Sequence, residues 1–378
     1  MAPIIYIDPQ SYNNLSLYDC GMLSAMGKEE VILFGSSLWD CQTPNVELRP
    51  WFTYNKYKKT IIKGLSYTKT ILKIASYIYR HKEIKVAHIQ WLRLWKIDFY
   101  FLKWLKQRGI KVIFTAHNLL PHDTGDTQRE QYSRYYKMVD CICVHTESTK
   151  QDLQNHFGIE SEKIEVIPHG VITSNIPEDD IIRRADELRK QYGIDRDKLI
   201  LSSLGLQSYY KGVDLLIKLW ISDDKLSLNK SIKLMLIGRN SGLDYSGIKN
   251  CENVVIVDEK VSNLDFQAFL ELSDIVLLPY RQISQSGVLF SAIARNKPVL
   301  VSNVGGLPDP LNIGQVGWNI GKATEENIRT FLNGLVTHSR MVKNIQSNLS
   351  EFEKVRDFYS WESISRRLYK LYHRLMSE

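Results

Sequence analysis

The chain lacks most of the features that settle a protein's class at a glance. No run of 18 uninterrupted apolar residues occurs, so no membrane-spanning helix is expected. The opening MAPIIYIDPQSYNN has no basic stretch followed by a long apolar one, so it does not read as a secretory leader. Cysteine is scarce: Cys20, Cys41, Cys141, Cys143 and Cys251 are odd in number and scattered, unlike a disulfide framework or a zinc site. Cys141 and Cys143 lie on one face of the strand-like DCICVHT and read as buried free thiols, which fits a reducing, cytoplasmic setting. No low-complexity tract or short internal repeat appears. Aspartates are not clustered as a magnesium site would require, so no metal and no bound cofactor are expected. A net charge of +7 comes with no nucleic-acid reader motif, so no nucleic-acid partner is expected.

What is present is an alternation. Short apolar runs (APIIYID, EVILFG, VAHIQW, KVIFTAHN, DCICVHT, IEVIPHG) are separated by amphipathic helical patterns such as IDFYFLKWLKQRG and STKQDLQNHFG. The second of these ends on a glycine suited to a left-handed cap. After Gly170 the chain turns polar and acidic through ITSNIPEDDIIRRADELRKQYGIDRDK. The alternation then resumes with LILSSLG, IKLMLIG, NVVIVDE, DIVLLPY and PVLVSN. At 378 residues the chain exceeds one comfortable core, so two α/β units with parallel sheets are predicted, joined near residues 172–176. The domain boundaries read as 1–172, 173–357 and a last helix over 358–378.

In open parallel sheets, ligands sit beyond the carboxyl ends of the strands. Two junctions of the second unit point to an anion there. In SSLGLQSYYKGVDLLIKLW a strand ends at Gly205 and a loop delivers Lys211 to a helix start. In DIVLLPYRQISQSGVLFSAIARNK a strand is followed by a helix opening on Gln285, Ser286, Gly287 and Val288. The first N–H groups of that helix have no internal partner and favour negative charge. Such an end holds phosphate readily, although Ser286 would also serve as an ordinary helix cap. A lysine and a helix start together would hold a diphosphate without a metal.

These two junctions resemble the donor half of a family-4 glycosyltransferase. IEVIPHGV (164–171) is similar to that family's interdomain segment, YSWESISRRLYKLY (359–372) to its terminal helix, and FTAHNLLPHDT (114–124) to its active-site histidine loop. The resemblance spans nearly the whole chain. It implies the GT-B architecture, in which two Rossmann-like domains face each other across a cleft and the last helix packs back on the first. It implies retaining transfer of a sugar from a nucleotide diphosphate sugar to a glycan or lipid-linked acceptor, as in cell-surface polysaccharide synthesis. It gives His117 the catalytic place and Lys211 the diphosphate, with Gly205, Arg239, Val261, Gln285, Ser286, Gly287 and Val288 on the donor side. Asn14, Asp19 and His122 fall on the acceptor side. Two departures stand out. No arginine lies between Gly205 and Lys211, and Ile283 and Ser291 occupy the places of two family glutamates. They motivate a competing reading as a non-catalytic nucleotide-sugar binder that partners another transferase. An epimerase would need carboxylates that are not evident, and a phosphorylase a much longer chain.

Basic charge concentrates over residues 56–85, where nine lysines and arginines meet one glutamate, with isoleucines, leucines and tyrosines interleaved. A helix of that composition can lie on an anionic membrane surface, which suits a lipid-linked acceptor or a membrane-surface scaffold. It would also serve as an ordinary solvated face.

Overall fold

The computed structural model describes residues 3–12, 16–26, 31–43, 46–120, 125–171, 176–337 and 340–377. It divides into two compact units: Met1–Gly170 with Tyr359–Glu378, and Val171–Phe358.

The first unit holds β1 (Ile4–Ile7), α1 (Ser16–Ser24), β2 (Val31–Ser36), β3 (Val46–Phe52), α2 (Thr60–Arg80), β4 (Val86–Ile89), α3 (Trp95–Gln107), β5 (Lys111–Thr115), α4 (Arg129–Met138), β6 (Cys141–Val144), α5 (Glu147–Phe157) and β7 (Ile164–Val166). The strands form one parallel sheet in the order β3-β2-β1-β4-β5-β6-β7. Because side chains alternate along a strand, Ile5 and Ile7 of β1 pack under α2 and α3, while Ile4 and Tyr6 face the other side. That other side is covered by Met22 and Leu23 of α1 together with Ile364, Leu368 and Leu371 from the far end of the chain. Cys141 and Cys143 point into the same layer as free, buried thiols, as expected. β3 was not announced by the sequence pattern. Pro50 interrupts it, which is tolerated because β3 is an edge strand. α5 ends on Gly158 at φ 63°, the left-handed cap its sequence predicted.

The second unit holds α6 (Glu178–Gln191), β8 (Leu199–Leu204), α7 (Val213–Ser222), α8 (Asp224–Ser227), β9 (Ile232–Ile237), β10 (Val254–Val257), α9 (Asn263–Leu272), β11 (Ile275–Leu278), α10 (Gly287–Ala294), β12 (Val299–Val301), β13 (Gly317–Asn319), α11 (Glu325–Thr337), α12 (Arg340–Ser347) and α13 (Leu349–Phe358). Its parallel sheet runs β10-β9-β8-β11-β12-β13. Val213, Leu216 and Trp220 of α7 meet Ile328 and Leu332 of α11 over one face. The last helix, α14 (Trp361–Ser377), returns to the first unit and packs on α1 and β4. The expected fold class, two doubly wound α/β units with a returning helix, is what the chain adopts.

One feature departs from the reducing-compartment reading: Cys20 on α1 and Cys41 are joined by a disulfide, with Cα atoms 5.9 Å apart. Their separation of 21 residues gave no sign of it.

Candidate functional site

Each sheet reverses its winding once, between β1 and β4 in the first unit and between β8 and β11 in the second. The carboxyl ends of those strands are where such folds bind ligands. Each unit carries a distinctive cluster there.

In the second unit, β8 runs out at Leu204 and Gly205 turns the chain at φ 88°. The Lys211 ammonium folds back over this glycine, 3.4 Å from the Leu204 carbonyl. Any Cβ at position 205 would stand 2.9 Å from Nζ, so the glycine serves both the turn and the lysine. Lys211 is buried, at 8% exposure, and burial pulls its ammonium down to about 8. No carboxylate of the described residues pairs with it. Its other neighbour is the Tyr280 ring, with Nζ 5.3 Å from the centroid. A buried cation without a counter-ion is costly, and protein interiors normally avoid it. Around it, Gln207 Oε1 and Ser208 Oγ are buried with no hydrogen-bond partner among the described residues. Gly212, at φ 70°, brings this loop against the Pro279 carbonyl so closely that a Cβ would collide. The lysine loop and the start of α10 are thereby held side by side.

At that start, Ser286 is buried and caps α10, its hydroxyl accepting from Leu289 N at 3.4 Å. The ordinary capping role is therefore filled, by a long bond. Among the described residues nothing lies within 4 Å of where a Gly287 Cβ would stand, so on that side the helix end is open to an approaching group. Val288 leans toward Gly205, and Gln285 is half-buried beside the cap. Arg239 is exposed after β9, and Val261 is half-buried just before Ser262, the cap of α9. Of the two positions where carboxylates were missing, Ser291 is buried within α10 and Ile283 is half-buried in the loop. Sequence reasoning missed Arg281. It lies beside the lysine loop, 3.9 Å over the Tyr209 ring, but is spent in a two-bond pair with Asp214 at 2.6 and 2.8 Å. An Asp-x-Asp triplet, Asp195-Arg196-Asp197, precedes β8 and is exposed, at the amino end of the sheet and away from this cluster.

In the first unit, four histidines line the carboxyl edge. His88 closes β4, His117 follows β5, His145 follows β6 and His169 follows β7. His117 Nδ1 is 3.1 Å from His145 Nε2, and its Nε2 is 2.9 Å from the Gln90 side chain. Its ring stacks on Trp91, with centroids 4.6 Å apart, and meets Tyr18 edge-on. Tyr18 also touches His145, His169 and Trp361. Burial, then the neighbouring imidazoles, holds His117 well below the usual histidine range, so it is neutral at pH 7. Burial takes His145 down to about 4 and His88 to about 3. His88 bonds to Tyr372 and Thr115 at 2.7 Å each, which is a structural position rather than one open to an acceptor.

Asp19 turns inward. It accepts from the Tyr6 hydroxyl at 2.6 Å and faces Asp8, which follows β1. Burial and then the Asp19 charge push the Asp8 carboxyl well above the usual carboxylate range. The sequence reading of Asp19 as facing the acceptor is thus corrected: in this structure its carboxyl is 1% exposed. Asn14 and His122 lie outside the described residues.

Residues 37–175 match the family model Glycosyltransferase Family 4, and residues 197–338 match Glycosyl transferases group 1. The chain belongs to the family-4 glycosyltransferases. Among curated relatives, a D-inositol 3-phosphate glycosyltransferase of Corynebacterium glutamicum is 25% identical over 287 residues, 70% of this chain and 66% of that one. The chain thus spans about two thirds of the length of that relative. Lipopolysaccharide glucosyltransferase WaaG of Escherichia coli is 23% identical over 217 residues, 57% of this chain and 58% of that one. Anabaena HepE, solved in complex with UDP, superposes with a TM-score of 0.68 over 99% of this chain and 100% of that one, at 14% identity, a likeness of fold. In this family-4 glycosyltransferase, His117 falls in the first matched segment and Lys211, Ser286 and Gly287 in the second.

Proposed function

We propose that this family-4 glycosyltransferase moves a hexosyl group from a nucleoside diphosphate sugar, with retention and without a metal ion, to a glycan or lipid-linked acceptor in cell-surface polysaccharide synthesis. The observation that carries the reading is Lys211, a buried ammonium with no ion-pair partner among the described residues, beside the open N-terminus of α10. A leaving diphosphate supplies the missing negative charge. The ammonium and the free N–H groups of α10 are in place before charge develops, so little reorganisation is needed as the glycosidic bond breaks. His117, neutral and half-buried, contacts the donor sugar as the family resemblance implies. Arg239, Val261, Gln285 and Val288 complete the donor side in this reading. The solved relative HepE binds UDP, and its structures include one with UDP-glucose, so uridine nucleotides are the first to try.

The test is thermal shift with UDP, GDP, ADP and their glucose conjugates on wild type and Lys211→Met. A rise of the wild-type midpoint with one base, absent in the variant, supports the reading, since a ligand of the folded state adds stability by mass action. No shift with any nucleotide removes it.

A lipid-linked acceptor is supported by α2. Ile61, Leu65 and Leu72 are 79%, 67% and 66% exposed, along one outward stripe beside Lys69 and Lys73. In this reading the stripe rests on an anionic membrane, from the cytoplasmic side. Cosedimentation with phosphatidylglycerol vesicles, lost in Leu65→Ser/Leu72→Ser, is the expected result, and equal binding to neutral vesicles would oppose it. No helix of the described residues is long and apolar enough to cross a membrane.

A further inference from the structure

The four-histidine edge contains a chain of hydrogen bonds with a fixed sense, and its far end is a backbone carbonyl. His145 Nδ1 lies 2.9 Å from the Ile167 carbonyl, which can only accept. That nitrogen therefore carries the proton. Because His145 is neutral near pH 7, its Nε2 is bare and accepts. His117 Nδ1, 3.1 Å away, must then be the donor. His117 is neutral as well, so its Nε2 is bare. The Gln90 side chain stands with Oε1 2.9 Å from that nitrogen, and since two acceptors cannot pair, the amide must be turned over to present its NH2 end there. The two ends of an amide are alike in shape, and hydrogen-bond logic assigns them. With the amide turned over, its oxygen takes the place of the nitrogen now 3.0 Å from His88 Nε2 and accepts a hydrogen bond from the proton there, and His88 Nδ1 accepts from the Tyr372 hydroxyl at 2.7 Å. Every link is satisfied in this sense, with the Thr115 hydroxyl, 2.7 Å from His88 Nε2, as a second acceptor of that proton. In the opposite sense the chain would end with a bare His145 nitrogen against a carbonyl, two acceptors facing each other in a buried site.

We propose that His145 is a positioning residue: the Ile167 carbonyl, acting through His145, locks His117 as the Nδ1–H tautomer with Nε2 as an acceptor. The consequence is specific. Nε2 of His117 can take a hydrogen bond from a sugar hydroxyl by displacing the Gln90 amide, and it cannot give one. The stacked Trp91 ring and the edge of Tyr18 hold the imidazole plane, so tautomer and orientation are both set before a ligand arrives. The inference rests on His117 meeting the donor sugar, as proposed above, yet its physical part can be read without any ligand.

The experiment is nitrogen-15 NMR of histidine side chains on the full chain labelled at histidine, assigned with His117→Gln. Wild type at pH 7 is expected to show His117 protonated on Nδ1 alone. His145→Leu is expected to move that signature to a mixture or to Nε2–H. His145→Gln, whose amide can donate to Ile167 and accept from His117, is expected to restore it. An Nε2–H or doubly protonated His117 in wild type overturns the proposal, as does an unchanged tautomer in His145→Leu. If His145→Leu fails to fold, the wild-type spectrum and His145→Gln still decide the matter. In turnover, His145→Leu is expected to lower kcat by about tenfold or more with the donor KM little changed, and His145→Gln to recover most of it. A correct tautomer in a protein that transfers no sugar would defeat the functional reading and leave this one standing.

Discussion

Replacing Lys211 with methionine should make the ligand-free protein more stable while ending its affinity for nucleotide. Methionine keeps most of the stem packing and removes only the charge. Burial lowers the lysine from 10.5 to about 8. That drop is about 2.5 pH units, or about 3 kcal/mol disfavouring the charged form in the fold. Below pH 8 the folded protein carries this charge and bears its full cost. Between pH 8 and 10.5 the unfolded chain keeps the proton while the folded one loses it, so wild-type stability rises with pH. The variant's advantage should therefore be greatest at pH 7, up to about 3 kcal/mol, and fade by about pH 10. In a protein of this size it corresponds to a midpoint several degrees higher, at about 2–4 °C per kcal/mol. Urea unfolding at pH 7, 8.5 and 10, followed by calorimetry, reads both the gain and its decline. A variant less stable than wild type at pH 7 would refute the reasoning, because it would mean that the ammonium has a favourable partner in the empty site. A gain independent of pH would refute it as well, since the cost would then not be electrostatic.

Other outcomes follow from the same structure. Acidification should destabilise the first unit through its neutral histidines, because the unfolded chain binds protons that the folded one refuses between about pH 6.5 and 4. His145→Gln should flatten that slope by about 1.4 kcal/mol per pH unit in urea titrations, while Asp98, held up at about 6, contributes equally to both proteins and cancels. Gly212→Ala should cost about 2 kcal/mol or more, since the residue sits at φ 70° with the Pro279 carbonyl in the way, and it should weaken nucleotide binding more than Gly193→Ala, a positive-φ position with open space around it. Cys41→Ser should lose about 3 kcal/mol relative to oxidised wild type, the loop-closure value for a separation of this length, and nothing relative to reduced wild type. Tyr372→Phe should cost about 1–3 kcal/mol in thermal unfolding by leaving a buried His88 nitrogen without its hydroxyl partner.

Much of the architecture could be read directly from residue order. The runs that became β1, β4, β5 and β6 are nearly all apolar because both faces of a parallel sheet are covered, and such runs are hard to mistake when helical patterns separate them. β3 escaped because VELRPWF is an edge strand with mixed burial and a proline, and so has no clean period. Lys211 and Ser286 were legible because each follows a strand and opens a helix, which is a local signal. The pairing of Arg281 with Asp214 was not legible, since 67 residues separate them and only the fold brings the guanidinium to the lysine loop. Asp19 was placed on the helix correctly, but a sequence does not tell which way a carboxylate points, and its inward turn depends on Tyr6 and Asp8. His145 did leave a trace. It follows its strand at the same carboxyl edge as His117, and reading those two positions in register would have drawn it into the set.

Trp361 is packed against the backbones of Gly21 and Gly170, where any side chain would collide with its ring, and Tyr372 of the same helix bonds to His88. These contacts join the last stretch of chain to the first. During synthesis the amino-terminal sheet emerges early, yet one of its faces is covered by α1 alone until the whole second unit has been translated. A ribosome therefore releases a half-covered sheet that has to wait through 188 residues, Val171–Phe358, for its cover. Nascent chains arrested just before Tyr359 should be open to protease and to chaperones over this face, and the histidine edge should mature only once α14 has been made. In this protein the histidine edge is among the last parts to assemble, and a chain that lacks α14 cannot complete it.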